Sequence, residues 1–192
     1  MVSTGSVAFS CTCGEVRGRI SPATAQSGTH LICHCRDCRA AERFLEQPEA
    51  GTEGVELFQT TPDTIHLQAG VDRLAVLRLS PKGPLRWYAS CCNTPLFNTL
   101  SRPGIPFVTA MVARISDPAP LGPVVAHSFV PQAGGPPKHR GGTTMVWRFF
   151  TRLGAARLSG RWRQTPFFDL KSGEPTAPVR LLTKQERAAL YD

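Results

Sequence analysis

Three thiols stand within six residues at Cys33-His34-Cys35-Arg36-Asp37-Cys38, at offsets 0, 2 and 5. A pair, Cys11 and Cys13, lies upstream, and the adjacent pair Cys91 and Cys92 lies downstream; these clusters hold all seven cysteines of the chain. Scattered core cysteines would not group in this way, so the clustering points to metal, and to zinc first. On an extended segment, side chains at i and i+2 share a side. Cys33 and Cys35 therefore face one way and His34 the other; His34 as a fourth ligand is an alternative that the pleat argues against, in favour of packing or orienting something behind the ligands. A tight turn through Arg36 and Asp37 is expected to return Cys38 to the same metal. Zinc takes thiolates tetrahedrally, and a site with three protein ligands keeps a fourth position for water or substrate. The three close thiols thus have the form of a working site.

Cys11 and Cys13 repeat the i, i+2 spacing, with Gly14 permitting a turn, but two ligands do not fix a structural zinc. Cys91 and Cys92 are the thiols left over. Neighbours on a strand face opposite ways, so both reach one metal only where the chain turns, and Asn93-Thr94-Pro95 is compatible with a turn. One or two zinc ions per chain are expected.

Zinc held by three thiolates carries a formal site charge of −1, which weakens its acidification of water relative to a three-histidine site. A soft sulfur ligand suits its open position better. A substrate thiol would lose its proton there and become a nucleophile. Its attack on a small aldehyde gives a hemithioacetal, and the reverse releases aldehyde and thiol. Arg36 and Arg39, beside the metal loop, are candidates to bind substrate carboxylates; equally, they can be solvated or paired with Asp37, Glu42 or Glu46. No Ser-His-Asp order, paired catalytic carboxylates or phosphate-binding glycine loop supports another chemistry.

The elements that must position these residues are mostly strands. Val7–Phe9, Glu15–Ile20, His30–Cys33, Val55–Phe58, Thr64–Leu67, Leu74–Leu79, Leu85–Tyr88 and Pro106–Ile115 are short runs punctuated by Gly and Pro, as in a mainly β unit. Cys38, Ala41, Phe44 and Leu45 fall at helical spacing, so a short helix is expected from Asp37 to Gln47. Residues 116–142 are rich in Pro and Gly and read as a linker with one strand at Val124–Phe129. Residues 143–192 form a basic, partly helical extension, with helices at Met145–Leu158 and Thr183–Tyr191. The second helix opens on a capping box, Thr183 with Glu186.

The formal charge is +8. Residues 1–137 carry 11 basic and 10 acidic side chains, whereas residues 138–192 carry 11 basic and 4 acidic. The basic segment could meet nucleic acid, anionic lipid or an acidic substrate, or serve as a solvated face. Its aromatic helix could pack on the β unit, on a second copy of the chain or on a membrane surface. No apolar run approaches the roughly 20 residues of a membrane span. The start lacks a basic region followed by an apolar stretch, so no signal peptide is expected. A reducing cytoplasm, where paired thiols hold metal more often than they form disulfides, is the expected location.

The motifs resemble those of the glutathione-dependent formaldehyde-activating enzyme family, which also includes centromere protein V. That family shows C-x-C-G, then C-H-C-x-x-C-R, then an aromatic-led F-C-x-x-C-G-T. Here the first reads Cys11-Thr12-Cys13-Gly14, and the second, Cys33 to Arg39, matches in full. The third reads Trp87 to Thr94 and diverges: with Cys92 on the family's second thiol, Ala89 stands at the first and Asn93 at the glycine, and Cys91 supplies the sulfur from a shifted position. The resemblance covers about residues 5–115, read as a domain of residues 1–115. It implies a Mss4-like fold of small β-sheets around zinc sites. It also implies a structural zinc at the outer clusters, a catalytic zinc at Cys33, Cys35 and Cys38, and carbon–sulfur lyase chemistry on an adduct such as S-hydroxymethylglutathione. The rival reading is a non-catalytic, zinc-stabilised module that binds a partner or nucleic acid through residues 138–192. A third is an inactive relative that keeps the metal without turnover.

Overall fold

Strand-forming runs dominate the chain, and they pair into two sheets. The computed structural model describes residues 5–46 and 54–191. A three-stranded antiparallel sheet is built from β1 (Val7–Ser10), β2 (Arg17–Ile20) and β5 (Ile65–Ala69), with β2 in the middle. The second sheet contains β3 (Thr29–Cys33), β4 (Val55–Thr60), β6 (Leu74–Arg78), β7 (Leu85–Ala89), β8 (Thr94–Thr99), β9 (Val108–Met111), β10 (Ala126–Gln132), β11 (Gly135–Arg140) and β12 (Val179–Leu181). Its order is β11-β10-β3-β4-β9-β8-β7-β6-β12, antiparallel except where β10 joins β3 and β12 joins β6. Three helices are present among the described residues: α1 (Arg36–Phe44), α2 (Gly142–Leu158) and α3 (Lys184–Ala189). The protein is therefore mainly β, as its strand pattern indicates.

Period-2 alternation gives the large sheet two different faces. Phe58, Val76, Leu85, Trp87, Phe97, Val108 and Ala110 point to one side, where they meet Val7, Phe9, Ile20 and Ile65 of the small sheet. Phe167 and Phe168 close this core, with the Phe167 ring centroid 5.0 Å from that of Trp87. Trp87, Phe58, Phe97 and Phe167 are essentially inaccessible; each contributes roughly 1.5–3 kcal/mol of burial. On the other face, Leu77 and Leu79 pack against Ala40, Ala41 and Leu45 at and just beyond α1, and Leu31 and Leu57 pack against Cys33 and Cys38.

That second face also carries a polar row. Arg86 pairs with Asn98 across β7 and β8, Asn98 with Thr109 across β8 and β9, Thr109 with Gln59 across β9 and β4, and Gln59 with Thr29 across β4 and β3. Arg86 Nη1 donates to Asn98 Oδ1 at 3.2 Å, and Asn98 Nδ2 donates to Thr109 Oγ1 at 3.0 Å. At the far end, Arg152 of α2 donates to both Gln59 Oε1 and Thr29 Oγ1 at 2.9 Å.

Several elements differ from the sequence-based expectation. Residues 116–142 contain two strands, β10 and β11, where one strand within a linker is expected. The turn expected at Asn93-Thr94-Pro95 is confined to Asn93, and Thr94 and Pro95 already belong to β8, which is buried along its whole length. α2 faces inward with Arg148, Arg152 and Ala156 while Trp147 and Leu158 stand 71% and 93% exposed. α3 opens on the expected capping box of Thr183 and Glu186. The end of the expected Asp37–Gln47 helix lies outside the described residues at Gln47; α1 itself ends at Phe44. No helix among the described residues is long and apolar enough to cross a membrane.

Candidate metal centre

The four outer cysteines come together from opposite ends of the first hundred residues. Cys11 and Cys13 lie in the turn after β1, and Cys91 and Cys92 lie in the turn between β7 and β8. Their sulfurs all lie within 4.8 Å of one another. Cys11 and Cys13 sulfurs are 3.5 Å apart, Cys13 and Cys91 are 3.3 Å apart, and Cys91 and Cys92 are 3.8 Å apart. These are too long for disulfides, which hold sulfurs about 2.05 Å apart. They approach the roughly 3.8 Å that tetrahedral geometry gives for zinc–sulfur bonds of about 2.3 Å. The adjacent pair serves one centre because the chain turns there: Cys92 N–H donates to Ala89 C=O at 3.3 Å, and Asn93 takes φ 52°. Asn is one of the few residues that adopts this left-handed conformation readily.

The middle three thiols are local to one connection. Cys33 ends β3, Cys35 is the N-cap of α1 with extended φ −69° and ψ 149°, and Cys38 lies in the first helical turn. The expected tight turn through Arg36 and Asp37 is instead the first turn of the helix. The extended Cys33–Cys35 stretch sends both sulfurs to one side, and the helix start brings the third back, so that all three lie within 4.8 Å. Cys35 Sγ accepts from the Cys38 N–H at 3.4 Å. The positive end of the helix dipole thus sits among the thiols and favours thiolate. The donor set of both clusters fits a soft, four-coordinate metal ion.

Arg86 is the functional candidate absent from the sequence reading. It is 6% exposed, and its Nη1 lies 3.9 Å from Cys38 Sγ. Hydrogen bonds from Cys33 and Cys35 hold the Cys38 thiol well below its ordinary range, burial opposes this, and the Arg86 charge adds to the lowering. Cys33 is pushed up, first by its hydrogen bonds with Cys35 and Cys38 and then by burial. The bond with Cys33 lowers Cys35, but Cys38 and burial outweigh it and push the thiol up to about 11. The thiolate form is thus favoured most at Cys38, next to the Arg86 cation. The strand pattern held a signal for it: Leu85, Trp87 and Ala89 fill the core face, which puts Arg86 on the opposite side with the cysteines.

His34 turns away from the thiols, as the pleat requires. Its Nε2 is 3.2 Å from Nδ1 of His127 on β10, and the two rings stack at 5.5 Å. Arg36 Nη2 donates to the Tyr191 carbonyl at 3.0 Å, and its guanidinium lies 4.8 Å from the centre of the Tyr191 ring. The Tyr191 hydroxyl bonds Asp37. The end of the chain thereby braces the start of α1. Arg36 and Arg39 both line the cavity that opens beside the three thiols.

That cavity has a volume of about 820 Å³. The three cysteines, Arg36, Asp37, Arg39, Arg86, Asn98 and Thr109 contribute its polar part, and Leu57, Leu100, Phe107, Phe129 and three prolines form its apolar walls. The residue types and their convergence match a small-molecule site.

The model of DUF6151, a family of unknown function, matches residues 3–180. The chain belongs to this family. In this DUF6151 protein the matched span includes all seven cysteines and Arg86. No curated protein matches the sequence. A crystal structure of a Rhodobacter sphaeroides protein is similar at a TM-score of 0.42 and 16% identity, over 61% of this chain and 96% of that one.

Proposed function

We propose that the Cys33–Cys35–Cys38 centre binds zinc and that this DUF6151 protein is a carbon–sulfur lyase-like enzyme acting on the adduct of a small thiol with an aldehyde. The observation that carries this reading is a three-sulfur cluster, one ligand short of a closed tetrahedral site, facing a cavity of about 820 Å³. Zinc bound there would offer a fourth position to a soft sulfur atom and favour its thiolate form. The motif resemblance to the formaldehyde-activating family points to the same chemistry, with S-hydroxymethylglutathione as the reference adduct. The four-sulfur cluster would hold a second zinc with a structural role. Free thiols in both clusters suit a reducing compartment such as the cytoplasm.

The chain's own groups divide the work. Arg86, beside Cys38 at the cavity, would compensate thiolate charge and let the site tolerate a further sulfur anion. Arg36 and Arg39 stand at the cavity wall, where they can meet substrate carboxylates. The apolar walls exclude water and so strengthen these charge interactions. In the lyase direction the carbon–sulfur bond breaks and its electrons leave with sulfur. The adduct hydroxyl loses its proton as its oxygen becomes the carbonyl, and the departing thiolate takes up a proton.

The test is exchange spectroscopy by NMR on a thiol–formaldehyde mixture with the zinc-loaded protein. Exchange between hemithioacetal and free thiol should exceed the spontaneous rate with wild type and not with Cys38→Ser. Spontaneous-rate exchange across a panel of small thiols, with zinc fully loaded, would leave the binding-module reading in possession.

A further inference from the structure

We infer that the cavity beside the three thiols selects a ligand with an apolar body, aromatic or long aliphatic, in preference to the peptide-like body of glutathione. This rests on the proposed thiol chemistry for its head group, but the body is read from separate observations. Glutathione presents two carboxylates, an ammonium and two amides, all of which need polar partners when desolvated. Charged and polar partners are confined to the stretch that carries the cysteines, with Arg36, Asp37 and Arg39, and to the Arg86–Asn98–Thr109 row, and the other walls are apolar: Pro84, Leu100, Phe107, Phe129 and Pro131.

Phe129 is the sharpest indicator. It has φ 57°, a conformation that costs energy for a bulky residue. It lies where the β10–β11 pairing shifts register, between His127 and Val130. Such irregularities re-aim a side chain, and here the ring lies against the cavity, edge-on to His139 at 4.8 Å and still 46% exposed. Strain spent on holding a half-exposed aromatic ring at a cavity wall has no core-packing return. Phe107 lines the same cavity. A second cavity of about 220 Å³ shares Leu100 and Phe107 and continues to Met145, Val146 and Phe149 of α2. The apolar surface therefore extends away from the thiols, as a tail-binding channel would.

The ligand placed by this geometry has its sulfur at Cys33, Cys35 and Cys38 and its apolar body between Phe107 and Phe129, with the tail toward Phe149. The test uses the full chain with cobalt in place of zinc, whose visible absorption reports sulfur binding, and thermal shift as a second readout. The probes are 4-phenylbutane-1-thiol, the matching alcohol and glutathione. The phenylbutyl thiol should change the cobalt spectrum at a concentration at least tenfold below that needed for glutathione. Phe129→Asn, which accepts the same backbone conformation, and Phe107→Ala should each erase most of that preference with metal content and melting temperature retained. Equal or tighter glutathione binding, or no response to any phenylbutyl compound, would overturn the inference. A thermal shift from both phenylbutyl compounds with no cobalt response to either thiol would keep the apolar site and sink the lyase reading instead.

Discussion

The two cysteine clusters share a ligand type and differ in what they hold together. The four-sulfur cluster joins the turn after β1, in the small sheet, to the turn between β7 and β8, in the large one. Its ligands lie up to about 80 positions apart, and Cys11 belongs to the main core. The three-sulfur cluster draws all its ligands from one connection, β3 to α1, and faces a cavity. A metal that cross-links distant elements contributes to folding. A metal held by the β3–α1 connection would tie together no distant elements, and three protein ligands would leave a coordination position for chemistry. On the proposed reading, position in the topology, more than ligand chemistry, separates a structural centre from a working one.

The contrast is most easily broken by removing one ligand from each side of it. Cys11→Ser should destabilise the protein by roughly 4 kcal/mol or more, the range for loss of a structural metal. At this chain length that is a fall of about 10 °C or more in Tm. A melt within a few degrees of wild type would erase the distinction. Cys38→Ser should leave Tm within about 4 °C of wild type, the effect of a single small perturbation, while abolishing catalysed hemithioacetal exchange. A collapse of the fold in this variant would make the middle centre structural as well.

Arg86→Met sharpens the comparison by acting on one centre alone. It removes the cation beside Cys38 and keeps the apolar stem, so zinc affinity at the middle centre should fall roughly 10–100-fold, as for other supporting groups around metal ligands. Chelator competition resolves this step from the four-sulfur step, which should not move. The smallest effect belongs to Thr183→Ala. Loss of the α3 cap costs about 1 kcal/mol, and α3 leads into Tyr191, which braces Arg36 and Asp37. Hydrogen exchange should therefore rise at α3 and at the start of α1, and the turns carrying Cys11 and Cys91 should be unaffected.

Much of the centre was legible because its residues are local or chemically marked. The spacing of Cys33, Cys35 and Cys38 pointed to a single cluster, and their sulfurs do converge; the pleat excluded His34 from it. The shared site of Cys91 and Cys92 followed from the need for a turn, which Asn93 supplies. Arg86 was within reach, as a charged residue on the off-core side of a buried strand. The cavity was not, because Leu57, Leu100, Phe107 and Phe129 are ordinary apolar residues until β4, β9 and β10 bring them to one place. β8 escaped notice because Thr94-Pro95 is turn chemistry, and only its burial between β7 and β9 makes it a strand. The joining of β10 to β3 depends on a long-range parallel pairing that no local pattern encodes.

The most direct test of the two-centre account is zinc per chain by elemental analysis, on wild type and on Cys38→Ser purified without chelator. Two zinc ions in wild type and one in the variant, with the melting temperature preserved, is the predicted result. A single zinc ion in both proteins would place the metal at the four-sulfur cluster alone and contradict a working centre at Cys33, Cys35 and Cys38.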